Sequence, residues 1–548
     1  MRAFFVRGSL PERVEITIIG GGVNGVALAR ECAQSHKSVL LLEKDDFGSG
    51  TTSRCSRIVQ GGLRCLESGE IGMLRESLRG REALLREQSH LVHPLDFIIA
   101  TDARSRYSTL ETRTALWLYR RLGRVPRTSA EGEIESLRRS LDVSQRWALY
   151  PFQEAQCEFP ERLVADWLLD ACATGVIARN HAEVRAIQTS EGRVQGVLVR
   201  DGITGEDSYV ATEWVINAAG PWTDVVREMA DLATSSRLVS GVRSSHLMLR
   251  RFSGAPTGGL LVHSPDGRPL TLFPWNGMLQ VGSTGVLHRG DLSLAEPTVE
   301  EIAYLLGSAA SLFPKARITA DDMVFSYAGV RPLAYRKRKS ELEPDLDVAA
   351  SRYVVHNHAD EGALGMLSMF GGTLTTAASL ARKTALIMGL QSRRQAGAPV
   401  DTEDKSKMES TLQQWASTVH LATGIPQASA EAVARWHGRY AMSVIQAARH
   451  DPVLRTVIVD GQPQIVAQAV EAVVYEHAVT LGDILLRRVP IALSQEWNEY
   501  RTAQAAARIA PALGWNEHRT GKEIEAFEKE RSQFLFKPKD LRRAGVAA

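Results

Sequence analysis

The sequence is poor in cysteine, in net charge and in long apolar runs. Only five cysteines occur in 548 residues, at positions 32, 55, 65, 157 and 172. That count and spacing exclude a disulfide-stapled secreted scaffold and a paired-cysteine zinc site, and they fit a reducing cytoplasm. Nowhere do enough uncharged apolar residues run together to read as a membrane-spanning helix. The stretch before Val14, MRAFFVRGSLPER, has arginines on both sides of a short apolar core, too short for a signal peptide. The 65 basic residues nearly cancel the 63 acidic ones, leaving +2, so charge alone gives no case for nucleic acid. No long internal period recurs, which excludes a solenoid or propeller.

What is present is an ordinary globular composition, 44% hydrophobic and 23% charged, long enough for roughly two or three domains. Near the start, VEITIIG reads as a strand, residues 23–35 as a helix and SVLLLE as a second strand. Between the first strand and the helix stands G-x-G-x-x-G. Gly20 allows the tight turn, Gly22 lets backbone approach a pyrophosphate, and Gly25 permits close helix–sheet packing, with Asn24 in the same turn. The helix N-terminus then faces the phosphates with its partial positive charge. Glu43, ending the second strand, is placed to accept hydrogen bonds from a ribose. An acid there disfavours a 2′-phosphate but does not separate NAD from FAD.

Two further loops bear on that choice. GSGTTSR at 48–54, with Thr51, Thr52 and Ser53, is small and hydroxyl-rich and suits a bulky cofactor's phosphates and ring. Far downstream, FGG at 370–372 opens a helix and could set amides against the pyrimidine end of a flavin. Strand-like WVINAAG (214–220) and LGMLSMFGG (364–372) imply a nucleotide domain assembled from separated segments. The stretch 238–285 reads as strand-rich, with LTLFPWNGMLQVGST forming two strands around an Asn276-Gly277 turn. After the linker-like SRRQAGAPVDTEDKSK the texture becomes helical.

Together these stretches resemble the FAD-dependent glycerol-3-phosphate dehydrogenases, within the wider D-amino-acid-oxidase-like flavoprotein superfamily. The resemblance is carried by IIGGGVNG (18–25), TTSRCSRIVQGGLRCLE (51–67), NAAGPW (217–222), SSHLML (244–249) and FPW (273–275). It continues through DDMVFSYAGVRPL (321–333), FGGTLTT (370–376) and VVYEHAVTLGDILLRR (473–488). It implies an α/β fold: a Rossmann-type FAD-binding domain built from discontinuous segments, a β-sheet-rich substrate domain and an all-helical C-terminal domain. The FAD-binding segments are expected at 14–90, 211–237 and 356–398, mixed FAD and substrate segments at 91–210, the substrate domain at 238–355 and the helical domain at 410–548. Besides Gly20, Gly22, Asn24, Gly25 and Glu43, the cofactor residues implied are Thr51, Thr52 and Ser53, then Gly61 and Gly62. Val184, Ala219 and Gly220, and finally Gly372, Thr373, Leu374 and Thr375, complete the set.

The family's reaction, as the resemblance implies, oxidises the secondary alcohol of sn-glycerol 3-phosphate to a ketone by hydride transfer to flavin N5. Electrons pass on to quinone, or to oxygen in some members. Such chemistry needs cations for the phosphate and a base for the hydroxyl proton. The resemblance places Arg64, Arg331 and Arg352 as the cations, His246 as the base and Thr373 at the flavin–substrate face. Here the chain departs from the pattern, because the family's FGGKLTT has lysine where Thr373 stands. Losing that ammonium removes ~1.5–3 kcal/mol of charged hydrogen bonding. CSRIVQGG carries Arg57 for lysine and Gln60 for histidine, GSTG carries Gly285 for an acid, and RSSH carries Arg243 and Ser244 for lysine and glycine. Arg57 is one group that could take over the lost charge. A second reading therefore keeps the redox machinery for a different anionic alcohol or amine, in a biosynthetic role, and a third is a non-catalytic flavin-binding protein.

LWLYRRLGRVPR (116–127) joins large apolar residues to four arginines, and YRKRK (335–339) adds a basic loop. Each basic residue near an anionic leaflet contributes ~1 kcal/mol. With a quinone-linked family in view, the expectation is a cytoplasmic protein bound peripherally to the inner face of the membrane. A homodimer is open to it, as is a covalent flavin link at Cys55 or Cys65. In the helical domain WHGRY (436–440) reads as core, and Asp483 and Arg487 read as a surface pair one turn apart.

Overall fold

The computed structural model describes residues 8–537 except 67–68, 104, 106–107, 126–127, 129, 233–235, 265, 336–351 and 391–403. The basic run YRKRK thus lies outside the described residues after Tyr335. The glycine motif folds as its spacing requires. Arg13–Ile19 is a strand, Val23–Ala33 a helix and Val39–Leu42 a strand parallel to the first. The second of these strands is wholly buried, so it reads as a continuous apolar run instead of an alternating one.

Among the described residues there are two large sheets. The first has eight strands, ordered Tyr353–Asn357, Met366–Gly371, Asp207–Asn217, Arg13–Ile19, Val39–Leu42, Ile177–Arg179, with the hairpin Ala182–Ser190 and Arg193–Asp201 joined to the third. Its central pairs are parallel, although their strands lie far apart in the chain. The second sheet has nine strands, with Val239–Arg250, Met278–Gly282, Pro269–Trp275 and Gly259–His263 at its heart. Met323–Ala334 lies antiparallel along Val239–Arg250 for nearly its whole length. The expected hairpin is present: Pro269–Trp275 and Met278–Gly282 meet at Asn276 and Gly277, both at positive φ as a type I′ turn demands.

From Asp404 to Phe534 the chain is mostly helical, and buried charge bolts this region to the helix Pro160–Ala173 and to the loops that follow the strands Val39–Leu42 and Ile177–Arg179. Arg162 donates to both oxygens of Glu476 at 2.7 and 2.9 Å. Arg488 grips Asp46 with both terminal nitrogens at 2.8 and 2.7 Å, Asn180 adds a third hydrogen bond at 2.9 Å, and Arg487 a fourth. Asp483 and Arg487 do pair, at 2.9 Å, but not on the surface: both are buried. The spacing alone shows two charges on one helical face, whereas Asp46, from a loop over 400 residues earlier, meets that face and is buried with it. Burial alone would raise the Asp483 carboxyl; His181, Arg487 and Arg488 outweigh it and hold it well below the ordinary range. Trp436 and His437 are core residues, as expected. No described helix is long and apolar enough to cross a membrane.

Candidate active site

A cleft of about 350 Å³ is lined by the strand ends of the first sheet on one side and by the second sheet on the other. The first wall is made of backbone. Gly20 sits at φ +111°, and a Cβ there would lie 2.6 Å from the Ala218 carbonyl oxygen. A Cβ on Gly25 would lie 1.9 Å from the Gly20 oxygen, so Gly25 is a packing position beneath the cleft and does not line it. Gly22 caps the helix in extended conformation with no side chain of its own. Thr52 accepts from the Val23 amide at 3.1 Å, and Thr51 donates to Val330 O at 2.6 Å. Asn24 donates to Gly371 O at 3.1 Å, while its own side-chain oxygen is buried with no partner among the described residues.

Glu43 also lines this wall, but both its oxygens already accept backbone amides, from Gly21 at 2.7 Å and Asp45 at 2.9 Å. It braces the turn as much as it faces the cleft. Burial pushes its carboxyl up to about 7, against those two hydrogen bonds. Gly372, Thr373 and Leu374 continue the wall beside Gly371. Thr373 is extended and its amide donates to the Thr376 hydroxyl at 2.9 Å, so that amide is already committed. Val184, Ala219 and Gly220 line the cleft as well. Ser53, Gly61, Gly62 and Thr375 do not. Ser53 bonds within its loop, Gly61 donates to Glu154 and lies under Tyr119, and Thr375 donates to Gln60 O.

The second wall is made of side chains. Val242, Ser244 and His246 alternate along one strand and stand opposite Arg331, Gly329 and Tyr327 of its neighbour. His246 is buried between the Tyr327 ring, 5.1 Å away, and Gly282, where a Cβ would collide with the imidazole. Its Nδ1 lies 3.2 Å from the Gln280 amide nitrogen. Burial, aided by the Arg331 and Arg57 charges, pushes His246 down to about 3, so the ring is neutral at physiological pH. Arg64 and Arg331 line the cleft with it.

Arg352 does not join them: its half-exposed side chain pairs with Glu70, and only its carbonyl touches the site, accepting from Gly372 at 3.0 Å. Arg57 does not replace the missing lysine. It is fully buried, paired with Glu161 at 3.2 Å and stacked 4.2 Å from Trp275. Gln60 lines the cleft; Gly285 does not, and Arg243 is spent on Glu301 at 2.8 Å. Cys55 lines the cleft and Cys65 is buried away from it, neither of them in a disulfide. Three residues were given no role in the motif reading: Arg54, which lines the cleft over the Phe534 ring, Trp222, which lines it beneath Lys44, and Gln280, which meets the cleft only through His246. Gln280 had a signal in the sequence, a polar residue inside the apolar run MLQVG.

Comparison with known proteins fits this geometry. A family described as FAD dependent oxidoreductase matches residues 15–378, and one described as the C-terminal domain of alpha-glycerophosphate oxidase matches 394–520. A glycerol-3-phosphate dehydrogenase from Synechocystis sp. is 30% identical over 533 residues, covering 94% of this chain and 96% of that one. A D-erythritol 1-phosphate dehydrogenase from Brucella abortus is 32% identical over 381 residues, 68% of this chain and 73% of that one. The solved glycerol-3-phosphate dehydrogenase of Bacillus halodurans, complexed with FAD, superposes with a TM-score of 0.73 at 20% identity, covering 95% of each chain, and so shares the fold.

The cofactor is FAD. The cleft suits it: the side-chain-free helix start at Gly22, the orphaned Asn24 oxygen and the glycine turns at Gly20 and Gly371 leave space and hydrogen-bonding capacity for a dinucleotide. The chain belongs to the glycerol-3-phosphate dehydrogenase family of FAD-dependent oxidoreductases.

Proposed function

We propose that the protein oxidises the secondary alcohol of a small phosphorylated polyol, glycerol 3-phosphate or a close homologue. The observation that carries this is one cleft holding a neutral, buried His246 with the guanidinium groups of Arg64 and Arg331, opposite the glycine-loop wall. On this reading the first sheet is the FAD-binding domain and the second the substrate domain. FAD, when bound, accepts the hydride. Arg331 and Arg64 bind the phosphate, for which the guanidinium fork is suited. His246 takes the hydroxyl proton at Nε2, which requires Nδ1 to carry the ring's other proton and Gln280 to offer its carbonyl oxygen. That oxygen has no other partner among the described residues, so a flip of the amide breaks no other contact of the oxygen and puts the amide nitrogen where the oxygen had none. Electrons leave to quinone or oxygen.

The test is anaerobic mixing of the yellow protein with glycerol 3-phosphate while following the oxidised flavin band. Bleaching is expected; failure to bleach with glycerol 3-phosphate and with longer polyol phosphates would sink the reading. Thr373 favours a second form of it, in which the substrate is larger than glycerol 3-phosphate, and the likeness to a D-erythritol 1-phosphate dehydrogenase supports that form.

We further propose peripheral attachment to an anionic membrane through the Thr109–Gly123 helix. Its outer face carries Leu110 and Trp117, 75% and 64% exposed, among exposed Arg113 and Arg121. Its inner face buries Leu116 and Tyr119.

A further inference from the structure

We propose that Ser244 reads a hydroxyl of the substrate beyond those of glycerol 3-phosphate, making the preferred substrate a phosphorylated polyol of four or more carbons. This rests on the reading that the cleft oxidises a phosphorylated alcohol between His246 and Arg331. Ser244 is 4% exposed, lines the cleft, and its hydroxyl has no hydrogen-bond partner among the described residues. A buried hydroxyl without a partner costs free energy unless something else supplies one.

The strand register explains why the protein does not supply it. Ser244 stands opposite Gly329, which has no side chain to offer, and whose missing Cβ is itself required because a carbon there would meet the Arg54 carbonyl at 2.6 Å. Residues two apart on a strand share a face. Ser244 is therefore one step from His246 on its own strand, and diagonal to Arg331, whose direct partner is Val242. The hydroxyl stands between the proposed base and the proposed phosphate site. Glycerol 3-phosphate has only a single methylene between its oxidised carbon and its phosphate ester, with nothing to donate or accept there. A tetritol 1-phosphate bound with C3 at the base and its phosphate on Arg331 places a further carbinol, C2, in that interval. The facing wall gives it room, since Thr373 is short where the family pattern has lysine.

The experiment uses the FAD-loaded enzyme with glycerol 3-phosphate and a tetritol 1-phosphate, measuring kcat/KM for flavin reduction by each. The wild-type protein is expected to favour the tetritol phosphate. Ser244→Ala should lower kcat/KM for the tetritol phosphate about tenfold more than for glycerol 3-phosphate, the worth of one hydrogen bond to a neutral partner. Ser245→Ala is the control, because Ser245 is equally buried with an equally unpartnered hydroxyl but lies on the other face, outside the cleft. It should leave the ratio unmoved, and melting temperatures of both variants report on folding. If both substrates reduce the flavin and Ser244→Ala lowers them equally, the proposal falls while the parent reading stands. If neither reduces it, both fall.

Discussion

The two walls of the cleft are built on opposite plans. On the glycine-loop wall the work is done by main chain: Gly20, Gly22, Gly371 and Gly372 shape the surface, and side chains such as Glu43 and Thr52 hold that backbone in place. On the facing wall a regular antiparallel pair of strands does no shaping, and what it presents is set by which side chains alternate along it. The first plan tolerates almost no substitution and says little about the substrate. The second tolerates exchange, and specificity resides there.

The harshest way to break this comparison is at Gly25. Its Cβ would lie 1.9 Å from the Gly20 oxygen, and because that neighbour is backbone it has no flexible side chain to yield. Gly25→Ala should cost ~3 kcal/mol or more, at the upper end of overpacking, and the purified protein should be colourless, as flavin absorbance per chain would show. Retention of stoichiometric flavin would mean that the first wall is more plastic than its geometry implies. Arg331→Met makes the opposite cut. It should leave the protein yellow while lowering kcat/KM for phosphorylated substrates about 100-fold, the worth of two charged hydrogen bonds at ~1.5 kcal/mol each. Loss of flavin along with activity would erase the distinction between the walls.

The same division governs what could be seen in the sequence. The strand, glycine turn, helix and second strand are local, because positive φ and close approach restrict the residue choice to glycine over a few adjacent positions. They were all legible. So was the Asn276-Gly277 hairpin. The facing wall was legible only by resemblance: His246, Arg64 and Arg331 do meet in one cleft, but Arg352, taken from the same pattern, turns aside to Glu70. Nothing local to Arg352 betrays an acid some 280 residues earlier. Asp483 and Arg487 teach the same point. Their spacing gives the pair correctly and its burial wrongly, because the partner that buries them, Asp46, is a tertiary fact.

A smaller perturbation sharpens the comparison within the second wall. Gln280→Leu removes the one side chain that hydrogen-bonds the His246 ring among the described residues, and should lower kcat about tenfold with KM little changed, a loss of ~1.4 kcal/mol typical of one orienting hydrogen bond. Gln280→Glu adds the sign of the effect. In the wild-type cleft His246 is pushed down to about 3, so protonating the base does not limit activity between pH 5 and 8. A carboxylate at 280 stabilises the protonated ring and raises that value. Activity should then fall as pH drops through the new, higher pKa, giving an acidic limb where the parent profile is flat. The same depression predicts a matching linkage: with His246 held down to about 3 in the fold and near 6.5 in the unfolded chain, the stability present above about pH 6.5 should be lost as pH falls across that window. A parent profile with a limb near 6.5 would show that His246 is not held as the geometry indicates.

The smallest effect lies outside the cleft, on the helix whose inner face bears Tyr119. Tyr119 packs against Gly61, so close that a Cβ there would strike its hydroxyl, while Trp117, two residues earlier, points to solvent. Trp117→Ser should therefore leave the cleft chemistry intact and weaken binding to anionic vesicles by ~1–2 kcal/mol, with the remaining, arginine-driven part declining further as salt rises. Cosedimentation at two ionic strengths measures both terms. Wild-type protein that stays in the supernatant at low salt would remove the membrane from the account. It would also leave the exposed Leu110 and Trp117 to be explained by contact with another protein surface, most simply a second copy of this chain.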